Sequence, residues 1–290
     1  GWPAAFQQFD AATRRRVQHA VHRVATLGVQ TSFLPIFASI RMRSPGDPGA
    51  CAEYLDLCER YAFRVFRLLE RRANAGQSWL FRQGHALYHG RITFTLLASQ
   101  MRGLLLWFAP DARVKAELAT PGDWYNWPGI KYLLYEYEEH LAKRAGVVPA
   151  LPWEDFNRSE KHKTIEHVLP QTPTDSYWTK RWTAEQIKRL THDLGNLCIT
   201  FDNSAYGNKP FPEKKGAVGQ EGCYANSTLH AERELAGYTD WTERELLDRR
   251  QAIVDWALTR WEVEVPEADV PVVDDDEEDA ADGGDNPAPV

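Results

Sequence analysis

Two short stretches decide the fold: Lys163-Thr-Ile-Glu-His-Val-Leu-Pro-Gln171 and Leu194-Gly-Asn-Leu-Cys-Ile-Thr200. Each holds a short apolar run of the kind that forms a β-strand. The first run carries a carboxylate beside an imidazole, at Glu166 and His167, and Pro170 marks its end. The second run opens on a Gly-Asn pair. We therefore predict two short strands that bring polar side chains together in one site.

The polar residues in and after these strands are of the types that phosphodiester hydrolysis requires. A neutral histidine has a reference pKa of about 6.5, so His167 can take a proton from water at cellular pH. Glu166 supplies a carboxylate oxygen, and Asn203 and Asn208 supply amide oxygens, which suit Mg²⁺ or Mn²⁺. A regular strand points Glu166 and His167 to opposite faces, so both reach one phosphate only where the strand ends or bulges.

The net charge of −7 comes from one end of the chain. Residues 264–290 contain eleven acidic side chains, no lysine or arginine and little to bury, and we predict a disordered acidic tail there. Such a tail either keeps the protein soluble, which we favour, or occupies a basic groove as DNA would. The remaining body has 34 basic and 30 acidic side chains, a balance that permits binding of a polyanion.

Cysteine usage and hydropathy fit a reducing cytoplasm. The four cysteines form no Cys-x-x-Cys pair, which argues against a zinc knuckle and against a disulfide framework. No apolar run approaches the roughly 18 residues that a membrane span needs, and no signal peptide is visible. The chain begins at Gly1-Trp2 without an initiator methionine, so we expect it to be a piece of a longer protein.

Helical periodicity dominates the first half of the chain and predicts a helical domain over residues 1–145. Asp10 is placed to cap a first helix that Gly28 ends. Further apolar stripes predict helices at about residues 50–74 and, as one long or broken helix, at 84–108.

The composition changes after residue 146, where short β-like runs alternate with Asn, Gly and Lys. Thr242-x-x-Glu245 is a capping box and starts a final helix. We predict an α+β domain over residues 146–263. Because the helical domain 1–145 makes up half of the chain, we expect the whole chain to be mainly α.

The helical part of the sequence contains a second pair of possible metal ligands. His85 and His89 stand at i and i+4, a spacing that places two imidazoles on one helical face. No carboxylate or third ligand lies near them in the sequence. We interpret them as packing or surface residues; a zinc hydrolase that uses His85, His89 and His167 would lack convincing ligand spacing.

The order Glu-His-Val-Leu-Pro-Gln, Leu-Gly-Asn-Leu, then two further asparagines resembles the ββα-metal, or His-Me finger (HNH), nuclease motif. The resemblance implies that His167 is the general base and that Glu166 is the acidic metal ligand. It implies that Asn196 orients the imidazole so that Nε2 faces the attacking water. It also implies a last ligand of Mg²⁺ or Mn²⁺, for which we favour Asn208, with Asn203 as the alternative. The predicted α+β domain would then be of the ββα-metal type.

A closer resemblance covers roughly residues 50–262 and is most specific at 163–215. The motifs above, with Asn-Ser-x-x-x-Asn-Lys-Pro-Phe, Lys214-Lys215 and Arg249-Arg250, are similar to the C-terminal nuclease domain of GmrSD-type, modification-dependent restriction enzymes. Phosphorothioate-dependent phage-defence proteins of the SspE type share this layout. The resemblance implies a DNA endonuclease, nicking or cutting, of a restriction or antiviral defence system. Its ParB-like N-terminal sensor domain would precede the present chain.

Lysines around the two strands are candidates for sequence-independent contacts with DNA phosphates. The candidates are Lys163, Lys209, Lys214 and Lys215. The last two are favoured because they follow the candidate metal-site asparagines closely.

A second hypothesis is a non-catalytic module, in which the helices bind DNA or a partner and the HNH finger is degenerate. The presence of His167, Asn196 and both candidate ligand asparagines argues against it. The sequence leaves open nick against double-strand break, RNA against DNA, and whether the protein is a homo-oligomer.

Overall fold

A computed structural model of the chain describes residues 9–28, 31–43, 48–201 and 203–264. The fold is mainly α, as predicted, and the described residues contain two short strands. The predicted acidic tail lies, after Glu264, outside the described residues. The helices are α1 (Ala11–Leu27), α2 (Leu34–Arg43), α3 (Pro48–Tyr61), α4 (Gln77–Tyr88), α5 (Phe94–Phe108), α6 (Asp111–Ala119), α7 (Ile130–Arg144), α8 (Trp153–Arg158), α9 (Lys161–Thr164), α10 (Ser176–Thr179), α11 (Ala184–Leu190), α12 (Phe211–Lys215), α13 (His230–Leu235) and α14 (Glu243–Arg260). The strands are β1 (Ile165–His167) and β2 (Leu197–Ile199).

Among the described residues, one compact unit comprises those up to Glu117 and those from Arg260 to Glu264. The Asp10 carboxylate caps α1 by accepting hydrogen bonds from the N–H groups of Ala12 and Thr13 at 2.9 and 3.0 Å. Gly28 ends the helix with φ 71°, a left-handed conformation that glycine adopts without strain. The predicted first helix is therefore confirmed at both ends.

The two longer helices predicted in this unit are subdivided in the structure. Helix α3 passes into a π-helical segment, Ala62–Leu68, which ends the predicted 50–74 helix early. The predicted 84–108 segment is broken: α4 ends at Tyr88, and the Thr93 hydroxyl caps α5 by accepting from the N–H of Leu96 at 3.2 Å.

The second compact unit, Leu118–Thr259, contains both strands. They pair antiparallel, with Ile165 opposite Ile199, Glu166 opposite Cys198 and His167 opposite Leu197. All six of these residues are buried. The two predicted strands thus form, and they bring Glu166 and His167 into the interior of this unit.

The boundary between the two units differs from the prediction. The sequence places it at residues 145/146, whereas the compact units divide at 117/118. The reason is that α7 packs against β2 and α13. The buried Glu138 carboxylate on α7 accepts hydrogen bonds from the backbone N–H groups of His230 and Ala231, at 2.9 and 2.7 Å, and so caps α13.

Helix α14 closes the second unit and begins where the capping box predicted. The Glu245 carboxylate accepts from the backbone N–H of Thr242 at 3.0 Å. Arg249 on this helix donates from Nη1 to the carbonyl oxygens of Gly195 and Leu197, each at 2.8 Å, and so holds the start of β2. Within the described ranges, no helix combines the length and apolar character that crossing a bilayer requires.

Candidate active site

His167 is the last residue of β1, and its side chain is only 4% exposed. The N–H of Val168 donates to the carbonyl of Asn196 at 3.0 Å, which extends the antiparallel pairing by one residue beyond His167. The predicted catalytic histidine thus stands at the end of β1. The imidazole lies against the ring of Tyr125, with 4.6 Å between ring centroids.

Both ring nitrogens of His167 have side-chain partners. Nε2 lies 3.0 Å from Nδ1 of His192, and Nδ1 lies 3.3 Å from the amide nitrogen of Gln171. The two imidazoles are nearly perpendicular, at 74°. His192 is half-buried and Gln171 is exposed, so the more accessible of the two partners lies at Nδ1.

The electrostatic surroundings keep His167 neutral. Burial lowers the pKa of His167 to about 3, with the charges of His192 and Lys214 acting in the same direction and Asp123 opposing them. The neutral imidazole is the form that can accept a proton, and the low pKa means that this buried ring holds an added proton weakly.

Glu166 points to different partners from those of His167. Its Oε1 accepts hydrogen bonds from the Lys214 ammonium at 2.6 Å and from the Tyr224 hydroxyl at 2.8 Å. The carboxylate is 1% exposed, and burial raises its pKa against the opposing charge of Lys214. The alternation of side chains along β1 thus separates Glu166 from the imidazole, which is the difficulty that a regular strand implies.

The structure places Lys214 in a different role from the predicted one. Lys214 was expected to contact DNA, but it is fully buried, and its ammonium also donates to the carbonyl oxygens of His167 and Val168 at 3.0 Å each. An ammonium group enclosed by a carboxylate and two carbonyls has no access to a phosphate. Its role is to neutralise Glu166 and to fix the backbone at the end of β1.

Asn196 also has a different role from the predicted one. It was expected to orient the imidazole, but its side-chain amide bonds elsewhere. Its Oδ1 accepts from the N–H of Leu169 at 2.7 Å and from Nε1 of Trp241 at 3.3 Å, and its Nδ2 donates to the carbonyls of Leu169 and Thr191 at 2.9 and 2.8 Å. Asn196 therefore ties the turn after β1 to the start of β2.

The two candidate ligand asparagines differ in setting. Asn208 is exposed. Asn203 donates from Nδ2 to the carbonyl of His162 at 3.1 Å, beside the helix that leads into β1, while its buried Oδ1 has no hydrogen-bond partner among the described residues. A buried acceptor without a partner is the feature that a cation would satisfy, so Asn203 fits an oxygen ligand of Mg²⁺ better than Asn208 does.

The other predicted ligand, Glu166, and the remaining lysines all have partners within the chain. Glu166 offers a divalent ion no free position on Oε1, because Lys214 and Tyr224 bind there. The described residues contain no group of three His, Cys, Asp or Glu side chains arranged for a metal. Lys163 is exposed and pairs with Glu160 at 2.9 Å. Lys209 and Lys215 donate to the carbonyls of Ala205 and Tyr238, both at 2.7 Å.

Sequence reasoning missed three side chains that surround His167: Tyr125, Gln171 and His192. Gln171 stands in the quoted motif, four residues after the histidine, and could have been found there. His192 is two residues before the Leu194-Gly-Asn-Leu run, which is the one signal in the sequence for it. Tyr125 is remote in sequence and enters the site only through the fold.

About half of the chain, including the site, matches a known protein family. A model of the C-terminal domain of GmrSD restriction endonucleases matches residues 108–256, which is just over half of the chain. The chain belongs to this family. The matched residues include both strands, His167 and the three side chains described around its ring, Tyr125, Gln171 and His192. A search of curated proteins found no match.

Proposed function

We propose that the chain is a DNA endonuclease that hydrolyses phosphodiester bonds, with His167 as the general base. The observation that carries this proposal is the imidazole of His167 at the end of β1, with Nδ1 beside the exposed Gln171 side chain, in a domain of the GmrSD family. Restriction endonucleases act on DNA, and membership of their C-terminal domain family supports DNA as the substrate. The expected setting is a modification-dependent restriction or antiviral system in the cytoplasm.

The chain's own groups can activate water in one way. When the exposed Gln171 side chain swings away, Nδ1 of His167 is open to a water molecule. His167 takes a proton from this water, and the hydroxide attacks the phosphorus, with departure of the bridging oxygen. This differs from the sequence-based expectation, in which Nε2 faced the water, because Nε2 is held by His192.

Magnesium or manganese remains part of the proposal, with an altered ligand set. Asn203, through its unpartnered buried oxygen, would hold the ion, and Glu166 would not, since Lys214 neutralises it. When bound, such an ion would supply positive charge to neutralise the phosphoryl oxygens of the substrate. Water and substrate phosphate oxygens complete the shell of Mg²⁺ in many phosphate-handling sites.

Contacts with the DNA backbone come from exposed cations near the strands. Lys163 is 61% exposed on the helix that leads into β1, and Lys209 is exposed after the Asn203 turn. Lys161 lies near the site as well, because its ammonium donates to the carbonyl of Tyr125 at 3.0 Å. Contacts of this kind bind phosphate without reading base sequence, so specificity would come from the expected sensor domain of the full-length protein.

The test is cleavage of supercoiled plasmid by the 290-residue chain with Mg²⁺, Mn²⁺ or EDTA. We expect nicked or linear product that requires the metal, and a loss of about 10²- to 10⁴-fold for His167→Ala. His162→Ala, an exposed histidine on the approach to β1, is the matched control and should cleave like the wild type. Metal-dependent cleavage that survives His167→Ala would refute the proposal. Plasmid that stays intact both here and with the full-length protein would favour a non-catalytic binding module.

A further inference from the structure

His192 and His167 form a pair of imidazoles that the family motifs do not account for. Nδ1 of His192 lies 3.0 Å from Nε2 of His167, and one hydrogen atom must lie between these two nitrogens for a bond to exist. Whichever ring carries that hydrogen, the tautomer of His167 is coupled to that of His192.

The surroundings of His192 hold its ring in place. Its carbonyl accepts from the N–H of Trp124 at 3.0 Å, and the Tyr125 ring stacks on the imidazole with 5.5 Å between centroids and 19° between planes. A ring fixed by backbone and by stacking presents Nδ1 to His167 in a constant direction.

Neither Asn196 nor Gln171 sets the tautomer of His167. The Asn196 amide is fully engaged by Leu169, Thr191 and Trp241. The Gln171 amide is exposed and offers either its NH₂ or its oxygen to Nδ1, so it accommodates both tautomers of His167. His192 is the partner that distinguishes between them.

We propose that His192 is the positioning residue of the site: its Nδ1 accepts the Nε2–H of His167 and thereby leaves a lone pair on Nδ1 of His167, toward water. In this arrangement His192 carries its own proton on Nε2. His192 does not touch the reacting atoms; it acts by fixing the orientation and tautomer of His167. The inference rests on the proposed function for its catalytic consequence but not for the tautomer itself.

The tautomer is measurable without any activity. In the ¹⁵N-histidine-labelled chain, two-bond ¹H–¹⁵N correlations of the ring should show His167 protonated on Nε2 and not on Nδ1. In His192→Leu the same ring should show a mixture of the two neutral tautomers. His230→Leu, which removes another half-buried imidazole of the same unit, should leave the His167 signals unchanged. A proton on Nδ1 of His167 in the wild type would overturn the inference.

The cleavage activity of two His192 variants distinguishes a positioning role of His192 from a role in packing alone. Asparagine can place its amide oxygen where Nδ1 of histidine lies, so His192→Asn should retain cleavage within about tenfold, whereas His192→Leu should lower kcat about 10²-fold with little change in KM. Circular dichroism and thermal unfolding verify that both variants fold. Equal activity of His192→Leu and the wild type, or equal loss in both folded variants, would overturn the inference. A wild type with no cleavage defeats the proposed function instead, and the ring correlations still decide the tautomer.

Discussion

The ammonium of Lys214 lies 2.6 Å from Oε1 of Glu166, and neither side chain is more than 2% exposed. A buried ion pair of this kind contributes little net stability when both partners are present, because each charge loses its hydration. Its disruption is costly, since the remaining charge is buried without a counter-ion. The pair therefore constrains the residues that flank His167 more than it stabilises the fold.

Removal of one partner of this pair should be strongly destabilising. Lys214→Met leaves Glu166 buried and unpaired, and we expect a loss of about 3–5 kcal/mol in the free energy of unfolding. Urea unfolding followed by tryptophan fluorescence measures it. The double variant with Glu166→Gln removes both charges and should recover much of the loss. Lys163→Met, an exposed lysine of the same unit, should change the free energy of unfolding by less than about 0.5 kcal/mol.

Asn196 should matter for stability more than for chemistry. Asn196→Ala leaves the Leu169 and Thr191 backbone groups unsatisfied in the interior, at a cost of about 1–3 kcal/mol for each buried group. We expect a lower melting temperature, with the tautomer of His167 unchanged in the fraction that remains folded. Asn208→Ala, at an exposed site, is the matched control. An Asn196→Ala protein as stable as the wild type would contradict this assignment.

The paired strands and the position of His167 could be predicted from the sequence, because two short apolar runs with a proline and a Gly-Asn pair leave few arrangements. The partners of the site residues could not. Lys214 stands 48 positions after Glu166, and its sequence context looks like that of a surface lysine. Nothing in the sequence distinguishes an asparagine that faces a ring from one that faces the backbone. The boundary between the units was misplaced for the same reason: the contacts of α7 with β2 and α13 are tertiary.

The metal requirement should depend on Asn203 and not on Asn208. Asn203→Ala removes the buried amide oxygen, and we expect the Mg²⁺ concentration for half-maximal cleavage to rise about tenfold or more. Asn208→Ala should leave it unchanged. The measurement is a titration of plasmid cleavage with Mg²⁺ at constant ionic strength. The opposite pattern, with Asn208 sensitive and Asn203 indifferent, would restore the sequence-based preference.

The stability of the second unit should vary with pH through Glu138. Burial raises the pKa of Glu138 from 4.5 to about 7, against the hydrogen bonds from His230 and Ala231. Between these values the folded state holds a proton that the unfolded state releases. Stability is therefore lost as pH rises through this window, by up to about 3 kcal/mol. Glu138→Gln should show a flatter free energy of unfolding between pH 5 and 7 in urea titrations. A slope identical to that of the wild type would show that Glu138 does not titrate there.

The central claim is that His167 accepts the proton of the attacking water, and chemical rescue tests it most directly. His167→Gly removes the base and leaves a space of imidazole size beside His192. We predict that plasmid cleavage by this variant falls to background and returns as free imidazole is added, with Mg²⁺ held in excess. His162→Gly, treated in the same way, should cleave like the wild type at every imidazole concentration. A His167→Gly protein that cleaves at the wild-type rate without imidazole would contradict the claim.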